Sequence, residues 1–578
     1  MNKDNAPNLA SLLALSVLLL AVRPALAQSP PVLLVDVSTD SQVRLSWTNT
    51  ATGFVLEQVD QLPAADQWSP VLQAPQLLGQ QLSVVLSSST GVRFFRLATQ
   101  PGGLPPDPAS VAPPIAQGVA TLLAEATGFL YTGPNPIQTG VAPGAIEAKR
   151  AAVVRGKVKK HDNTPVSGVT ISILNRPELG QTFSRADGMF DLAVNGGGLL
   201  TVKYEKTDFC PAQRQLNVPW QDYVMVQDVV MIQMDPIVTS VALGINSPMQ
   251  VHQGSLQTNA DGSRKATLLF TPGTSAYLVL ANGATQSVSS LNVRATEFTV
   301  GTNGPATMPA VLPPSSGYTY CVELSADEAV TQGATSVQFD RPLPVYVENF
   351  LGFPVGTAVP TGYYDRQKGQ WIASANGRVI EVLSITDNLA DLDLDGSASA
   401  DDAAALAALG ITAEERTHLA QLYLPGQTLW RVPITHFTPW DCNWPFGPPP
   451  DAIAPPDRQP NTPPVDDPNE ECGSVIGAED QTLGEFLSVS GTPWRLSYRS
   501  GRTPGRRDAY TLKIPVSGAK IPASLRAIRV EVSVAGRLFQ AAFAPTPNLD
   551  YTVTWDGKDG YGRPLQGKQS ADIVVNYD

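Results

Sequence analysis

The residues with the most evident chemistry form an acidic loop between positions 391 and 402. Calcium takes about six to eight oxygen ligands, and calcium-binding loops supply them from positions 1, 3, 5, 7, 9 and 12 of the loop. Here those positions hold, in order, Asp391, Asp393, Asp395, Ser397, Ser399 and Asp402. Gly396 stands at position 6, where the chain must turn sharply. The pattern predicts one Ca²⁺ ion, bound by the four carboxylates and the backbone carbonyl of Ser397.

The spacing of this loop resembles that of EF-hand and dockerin loops, and it departs from them in three ways. Residues 379–385, just before the loop, alternate like a strand where an entering helix is expected. The chain has no second loop to pair with the first, and Asp402 is shorter than the usual Glu. The alternative interpretation is an acid-rich turn that water solvates.

The four cysteines are Cys210, Cys321, Cys442 and Cys472, and they allow three pairings in an oxidising compartment. Cys442 and Cys472 bracket a proline-rich stretch, and we predict that these two form a disulfide. Closing a loop of about 30 residues would stabilise the fold by roughly 3–4 kcal/mol in the chain-entropy model. No Cys-x-x-Cys pair occurs, which argues against a zinc ribbon or a thioredoxin-type site.

The motifs of common enzymes are missing from the sequence. The four histidines show no metal-ligand spacing, and neither a nucleophile elbow nor a phosphate-binding loop occurs. Two Asp-Gly steps within residues 555–563 indicate tight turns. No pair of acidic residues stands out as the catalytic pair of a glycosidase. We therefore predict that the chain is not an enzyme, with a secreted hydrolase as the least favoured alternative.

Composition points to strands and turns. Charged residues make up 16% of the chain, hydrophobic residues 43%, and there are 51 prolines and 47 glycines. This balance favours short strands with many turns around buried cores. We expect a mostly β fold with several tandem sandwich modules of immunoglobulin, fibronectin or transthyretin type. A small helical insert with the calcium loop and proline-rich linkers would complete it. The net charge of −13, without a run of basic residues, argues against nucleic-acid binding.

The N-terminus has the pattern of a cleavable signal peptide over residues 1–27. Lys3 precedes an apolar stretch at 9–22, and Ala25 and Ala27 supply small residues at the cleavage site. The apolar stretch is shorter than the roughly 20 residues that span a membrane. We expect a secreted or cell-surface protein without a transmembrane segment in the mature chain.

Changes of pattern along the chain suggest further segment boundaries. Period-two alternation marks the strands, and proline runs mark the linkers. We expect a fibronectin type III-like sandwich at 28–100, a proline-rich linker and docking segment at 101–149, a transthyretin-like sandwich at 150–235, a β-rich module at 236–388, the calcium loop with short helices at 389–440, a second proline-rich linker at 441–471 and an immunoglobulin-like module at 472–578.

The segment at 150–235 resembles the carboxypeptidase regulatory-like, or transthyretin-like, module. The resemblance rests on G-K-V at 156–158, P-V-S-G-V-T-I-S-I at 165–173 and the turn D-G-M-F at 187–190. It implies a structural or binding domain without an active site.

Five longer motifs resemble the N-terminal region of exported bacterial rearrangement-hotspot (Rhs), or YD-repeat, proteins. They are F-L-Y-T-G-P-N-P-I-Q-T-G-V at 129–141, S-R-A-D-G-M-F-D-L-A-V-N-G-G-G at 184–198, Y-V-E-N-F-L-G-F-P-V-G at 346–356, W-R-V-P-I-T-H-F-T-P-W-D-C-N-W-P at 430–445 and W-D-G-K-D-G-Y-G-R-P-L-Q-G at 555–567. In that family, β modules precede an array of YD repeats that forms a hollow shell around a variable segment, often a toxin. Teneurin adhesion proteins share the shell.

The resemblance implies a non-enzymatic scaffold that acts as a plug or attachment region of a surface or toxin-delivery protein. This sequence contains no YD array, so we expect an incomplete unit, either truncated or completed by a second polypeptide. The expected partner is a protein: a YD-repeat shell in the same or another chain, or a cell-surface target. The alternative is a stand-alone calcium-dependent adhesion or carbohydrate-binding protein, which exposed aromatic residues on one sheet face would favour.

Overall fold

The computed structural model describes residues 33–38, 42–48, 54–59, 69–71, 76–78, 81–87, 93–99, 104–116, 118, 121–133, 136–455, 459–460, 474–477, 482–499 and 510–578. Strands make up 45% and helices 9%, which confirms the mostly β fold. The chain divides into two compact units, Met1–Pro105 and Pro106–Asp578. The predicted signal peptide and Cys472 lie outside the described residues.

The described part of the first unit is a small pair of β-sheets. Its strands are β1 (Leu34–Ser38), β2 (Gln42–Thr48), β3 (Phe54–Val59), β4 (Ser69–Pro70), β5 (Gln76–Leu78), β6 (Gln81–Ser87) and β7 (Phe94–Thr99). The sheets have the orders β1-β2-β6-β5 and β4-β3-β7. Leu45 and Trp47 from one sheet pack with Leu56 and Phe95 from the other. The alternation of Val43, Leu45 and Trp47 therefore does place a buried face on this strand.

The second unit begins with short helices and a docked segment. These are α1 (Pro108–Val111), α2 (Leu123–Thr127), a 3₁₀ turn at Gly128–Leu130 and the strand β8 (Thr139–Val141). Leu130 and Ile137 are buried against the module that follows. The buried Leu130 and Ile137 thus hold this part of the segment expected at 101–149 against the following module, and the assignment of 101–149 as a linker and docking segment stays a prediction.

The next module is a two-sheet sandwich. Its strands are β9 (Ala151–Lys159), β10 (Thr170–Ile173), β11 (Leu179–Phe183), β12 (Met189–Asn195), β13 (Gly198–Glu205), β14 (Ala212–Val218), β15 (Tyr223–Met225) and β16 (Val229–Val230). One sheet has the order β14-β13-β10-β11-β8, and the other has β12-β9-β15 with β16 also paired to β9. Ile171, Phe190 and Tyr204 are among the side chains that fill the space between them.

A larger sandwich follows and contains most of the remaining described residues. Its elements are β17 (Thr239–Ala242), β18 (Gln250–Gln253), β19 (Gln257–Asn259), β20 (Gly262–Arg264), β21 (Ala266–Phe270), β22 (Ala276–Val279), β23 (Thr285–Val288), β24 (Ser290–Glu297), a 3₁₀ turn (Gly304–Thr307), β25 (Cys321–Ala326), α3 (Asp327–Gln332), β26 (Ser336–Glu348), β27 (Ala358–Val359), β28 (Gly362–Asp365), β29 (Gln370–Ala373), β30 (Gly377–Thr386), β31 (Leu389–Asp393), α4 (Ala403–Ala408), α5 (Ala413–Leu422), β32 (Thr428–Phe437) and β33 (Pro439–Asp441).

The two sheets of this sandwich use strands from both ends of its sequence. One has the order β17-β24-β25-β33-β28-β29, and the other runs β18-β21-β26-β32-β30-β27, with β22, β23 and β31 attached. The boundary expected at 388/389 falls inside this second sheet, because β32 pairs with both β26 and β30. Likewise, β33 (Pro439–Asp441) crosses the expected boundary at 440/441 and pairs with β25 on both sides of it. Residues 389–441 are thus part of this sandwich and do not form a separate segment.

Helices α4 and α5 cover the outer face of this second sheet. Leu406 and Leu419 pack on Ile380 and Leu392 from the strands beneath. The Thr412 side chain accepts a hydrogen bond from the Glu415 backbone N–H at 3.1 Å, as expected for a helix N-cap.

The last described strands form three small sheets. The strands are β34 (Ser474–Gly477), β35 (Thr482–Ser488), β36 (Arg495–Arg499), β37 (Thr511–Pro515), β38 (Ile528–Val534), β39 (Arg537–Phe543), β40 (Asp550–Thr554) and β41 (Ala571–Tyr577). The sheet orders are β34-β35-β36, β37-β40 and β39-β38-β41. Val530 and Val532 pack against Ile514 and Val553 in the core of residues 511–578. The alternation from 528 to 534 therefore marks a strand with one buried face.

Candidate functional site

The acidic loop leaves strand β31 and leads into helix α4, which begins at Ala403, directly after position 12 of the loop. Gly396 has φ of 84°, as expected for the turn at position 6. Asp393 is buried, and its carboxylate accepts backbone hydrogen bonds from Gly396 (2.7 Å) and Ala398 (2.8 Å). Asp395 accepts one from the backbone of Ser397 at 2.9 Å. These bonds fold the loop around its own carboxylates.

Two of the predicted calcium ligands point elsewhere. Asp391 lies within β31, where Ser384 and Thr386 donate to its carboxylate at 2.7 Å and Arg416 pairs with it at 3.0 Å. The hydroxyl hydrogen bonds, with the nearby Arg416 charge, lower the pKa of Asp391. Asp402 is the N-cap of α4 and accepts from the Ala405 backbone N–H at 2.9 Å.

Asp401 does not occupy a ligand position of the loop pattern, but its side chain lies close to those of Asp393 and Asp395. Single carboxylate oxygens of Asp393, Asp395 and Asp401 lie within 4.8 Å of one another. Asp401 also accepts from the Leu394 backbone N–H at 2.6 Å, which fixes it across the loop. The structure therefore brings Asp393 and Asp395 together with Asp401, and calcium binding stays a prediction. The sequence spacing does not mark Asp401 as a ligand, and its place in this cluster is seen only in the folded loop.

The predicted disulfide involves one described cysteine. Cys442 follows β33 and is buried, as are Cys210 and Cys321, and these three described cysteines form no disulfide with one another. Burial raises the pKa of the Cys442 thiol, so that the neutral form is favoured. The pairing with Cys472 stays a prediction, because Cys472 lies outside the described residues.

A second cluster lies where residues 555–567 meet the sandwich built on β9 and β12. The sequence patterns did not indicate a site there. We call it the joint, and its residues are Phe129, Arg155, Arg185, Asp191, Tyr223, Gly536, Asp559, Tyr561 and Arg563. The Asp-Gly motif forms the expected tight turn, with the Asp559 N–H bonded to the Arg563 carbonyl at 2.9 Å. The fully buried Asp559 carboxylate accepts from the backbone N–H of Tyr561 and of Arg563, each at 2.9 Å. The turn thereby presents Tyr561 and Arg563 to the neighbouring module.

Tyr561 is the central side chain of the joint. Its hydroxyl donates to Asp191 at 3.1 Å, and its ring packs edge-on against Phe129 and Tyr223 at 5.4 and 6.0 Å between centroids. Burial raises the pKa of Tyr561 well above its ordinary value, and the Asp191 charge acts in the same direction. Tyr561 therefore stays a neutral donor to a charged acceptor.

Two arginines share the carboxylate of Asp191, which is completely buried on β12. Arg155 Nε lies 2.6 Å from one oxygen, and Arg185 Nη1 lies 2.7 Å from the other. Arg155 also donates to the Gly536 carbonyl at 2.8 Å, which connects β9 to the turn after β38. Burial is the largest single effect and lowers the pKa of Arg155, but Asp191, Tyr561, Tyr223 and Asp559 together more than offset it, and the pKa is raised.

Arg563 binds the chain that enters the second unit. Its Nη1 donates to the carbonyls of Pro113 at 3.0 Å and Ala126 at 2.8 Å. Its charge is balanced by Asp559 at 2.7 Å, and the guanidinium lies 5.5 Å from the ring centroid of Phe129. Every charge in the joint faces an opposite charge, so the arrangement is suited to holding modules together.

The motifs behind the family resemblance converge in space. Residues from 129–141, 184–198 and 555–567 meet at the joint through Phe129, Asp191 and Tyr561. The other two motifs meet within the larger sandwich, where Phe353 stacks on Trp444 at 3.9 Å. Asn349 there accepts from Trp430 Nε1 at 2.8 Å. The motifs therefore mark packing contacts between distant parts of the chain.

Two family profiles match the modules on either side of the joint. The Teneurin TTR-like domain matches residues 146–231, and the FN-plug domain of teneurins 1–4 matches residues 511–578. These matches confirm the teneurin-like part of the resemblance. Together they cover about a quarter of the chain. The Rhs assignment and the carboxypeptidase regulatory-like assignment stay predictions.

Curated relatives are teneurins of animals. The chain is 38% identical to teneurin-1 of Gallus gallus over 132 residues, which is 22% of this chain and 5% of that protein. It is 40% identical to teneurin-3 of Mus musculus over 105 residues, 18% of this chain and 4% of that protein. It is 42% identical to teneurin-m of Drosophila melanogaster over 82 residues, which is 14% of this chain and 3% of that protein. The chain thus matches a twentieth or less of each relative's length.

Among solved structures, a streptococcal ancillary pilin aligns with 42% of this chain and 88% of its own length. The TM-score is 0.14 and the identity 9%, values that carry no argument about fold or function. Within the described residues, no helix is both long and apolar enough to cross a membrane.

Proposed function

We propose that this chain is a non-enzymatic scaffold, and that it serves as the N-terminal plug or attachment region of an Rhs- or teneurin-type surface or toxin-delivery protein. The joint supports this proposal. It fixes the module that matches the FN-plug domain directly onto the module that matches the TTR-like domain. A scaffold needs such fixed geometry to present a surface to a partner.

The chemistry of the joint agrees with a scaffold. Its carboxylates and guanidiniums are paired and buried, and Tyr561 is held neutral. A catalytic group would need access to a substrate, whereas Asp191 and Asp559 are fully buried. Secretion or display at the cell surface, through the expected signal peptide at 1–27, belongs to the same proposal.

The stand-alone adhesion or carbohydrate-binding alternative would gain support from exposed aromatic residues on one sheet face. In the part of the chain that is described, the most exposed tryptophans are Trp220 and Trp494. One follows β14 and the other precedes β36, so they lie in different modules. These two tryptophans therefore do not share one sheet face.

The test is to tag the protein in its native cells, cross-link at the cell surface, and identify attached sequences by mass spectrometry. We expect YD-repeat peptides, either in the same polypeptide or in a cross-linked partner. The Asp191→Asn variant, which disturbs the joint, should reduce the cross-linked product, and the exposed Asp187→Asn variant should not. The absence of YD-repeat peptides from the wild-type sample would contradict the proposal.

A further inference from the structure

A cavity of about 580 Å³ opens beside the joint, between three separate stretches of chain. The first stretch contributes described residues from Ile115 to Ala126, and the second contributes Gln221, Asp222 and Tyr223. The third contributes Leu565, Gln566, Gly567 and Gln569. The cavity therefore exists only because the modules dock on each other. It is distinct from the paired charges of the joint, although Asp559 contributes to its lining.

Asp222 is the charged group that the cavity leaves unbalanced. Its carboxylate is half-buried, and one oxygen accepts the Tyr223 backbone N–H at 2.7 Å. The described residues place no lysine or arginine within salt-bridge distance of it. Asp559, by contrast, is neutralised by Arg563 at 2.7 Å.

A second carboxylate adds to the negative potential at Asp222. Asp572, on the edge strand β41, is close enough to raise the pKa of Asp222, although burial is the larger cause and the Tyr223 hydrogen bond acts in the opposite direction. The described part of the chain shows no salt bridge for Asp572 either. Asp222 therefore lines the cavity without a paired cation, and Asp572 adds negative potential at Asp222, which favours a positively charged occupant.

The remaining polar groups of the cavity are largely engaged within the protein. Gln221 accepts from the Leu123 backbone N–H at 3.0 Å and donates to the Ala148 carbonyl. Gln566 accepts from the Gly118 backbone N–H at 3.1 Å. Among the described lining residues, the other charged group is Asp559, which Arg563 neutralises, so the lining offers no cation for the carboxylate of a zwitterion.

Part of the cavity lining is apolar. It is formed by Ile115, Leu122, Leu123 and Leu565, and Leu122 remains 47% exposed. Long basic side chains bury an aliphatic stem along such a surface and place the charge beyond it. A cavity lined by both a carboxylate and apolar side chains is suited to such a side chain.

We propose that this cavity binds an arginine or lysine side chain of a partner protein, with Asp222 as the anion that pairs with it. This proposal does not depend on the proposed role in a YD-repeat protein, because it is argued only from the cavity and its charged groups. An arginine can make a bidentate pair with the carboxylate, so arginine is the preferred residue.

The probe for the experiment is N-acetyl-arginine amide, which carries one positive charge. Its matched control is N-acetyl-citrulline amide, which has nearly the same shape without the charge. Isothermal titration calorimetry on the full chain should show binding of the arginine compound at least tenfold tighter than of the citrulline compound. Equal affinity for the two compounds, or binding of neither at millimolar concentration, would overturn the proposal.

Variants locate the site on the chain. Asp222→Asn retains the hydrogen bond from Tyr223 and should weaken arginine binding at least tenfold, about 1.4 kcal/mol. Asp261→Asn removes one charge from a distant exposed loop and should change the affinity less than twofold. If Asp222→Asn fails to fold, Asp572→Asn provides the second measurement, with an expected loss of two- to fivefold. An equal loss in Asp261→Asn would show general attraction to an acidic protein and reject the site.

Discussion

At the scale of single residues, Asp191 is the carboxylate on which the joint depends most. We expect Asp191→Asn to lower the free energy of unfolding by about 3–5 kcal/mol, because Arg155 and Arg185 would remain buried without their counter-charge. Urea unfolding measures this loss. The control is Asp187→Asn, since the exposed Asp187 lies 3.8 Å from Arg185 and should contribute less than about 0.5 kcal/mol. Equal effects of the two substitutions would contradict the role of the buried pair.

Calcium binding is a second prediction at this scale, and the structure changes its expected ligands. A loop of this kind should bind weakly, with Kd on the order of 10⁻⁴–10⁻³ M. Asp393→Asn and Asp401→Asn should abolish binding in calorimetry, whereas Asp402→Asn should retain it, because asparagine caps a helix as well as aspartate does. If calcium produces neither heat nor a shift in the Tm of the parent protein, the loop is a solvated turn.

Asp441 provides a prediction of pH dependence. Burial raises the pKa of this carboxyl group to about 6, against hydrogen bonds that act in the opposite direction. The folded state then binds the proton more tightly than the unfolded state does, so this contribution to stability falls as the pH rises from about 4 to 6. We expect Asp441→Asn to flatten the pH dependence of the free energy of unfolding in that window. Asp261→Asn should leave it unchanged, and an identical slope in Asp441→Asn and the parent would refute the assignment.

At the scale of elements, the turn of residues 559–563 carries the joint, and Gly560 allows it to fit. A Cβ atom at Gly560 would lie 1.4 Å from Arg155 Nη1, which no side-chain motion within the paired joint accommodates. We expect Gly560→Ala to cost about 1–3 kcal/mol. Hydrogen exchange should increase at 555–569. Gly198→Ala is the matched control, because no atom lies within 4 Å of its added Cβ.

A double-mutant cycle distinguishes the clash from a local effect on the turn. In an Arg155→Ala background, Gly560→Ala should cost markedly less than in the parent, because the clashing guanidinium is gone. Additive losses would show that Gly560 acts through the turn alone and not through Arg155.

At the scale of the whole molecule, the joint predicts that the two teneurin-like modules remain together without a continuous chain. A protease site inserted into the proline-rich segment expected at 441–471 separates the module at 511–578 from the rest of the chain. After cleavage, the two fragments should elute together in size-exclusion chromatography. The Asp191→Asn variant should release the fragments from each other, and the Asp187→Asn variant should not. Separation of the wild-type fragments would show that the joint is too weak to hold the modules.

The sequence by itself determined the local features of this protein. Alternating apolar and polar residues surround Ile171 and Val530 in strands, and Thr412 caps a helix, because such patterns depend on a few neighbouring residues. Gly396 lies at the turn of the acidic loop, as its place at position 6 predicts.

Tertiary structure alone decided which of these residues meet. Asp391 forms an ion pair with Arg416 from α5, and Asp401 lies in the acidic cluster instead of Asp391. Tyr561 reaches Asp191, a residue 370 positions earlier, and this contact depends on how two modules dock. Likewise, β32 lies between β26 and β30, which no local pattern specifies. The physical reason is that periodicity reports which face of an element is buried, whereas the partner of that face depends on packing across the whole fold.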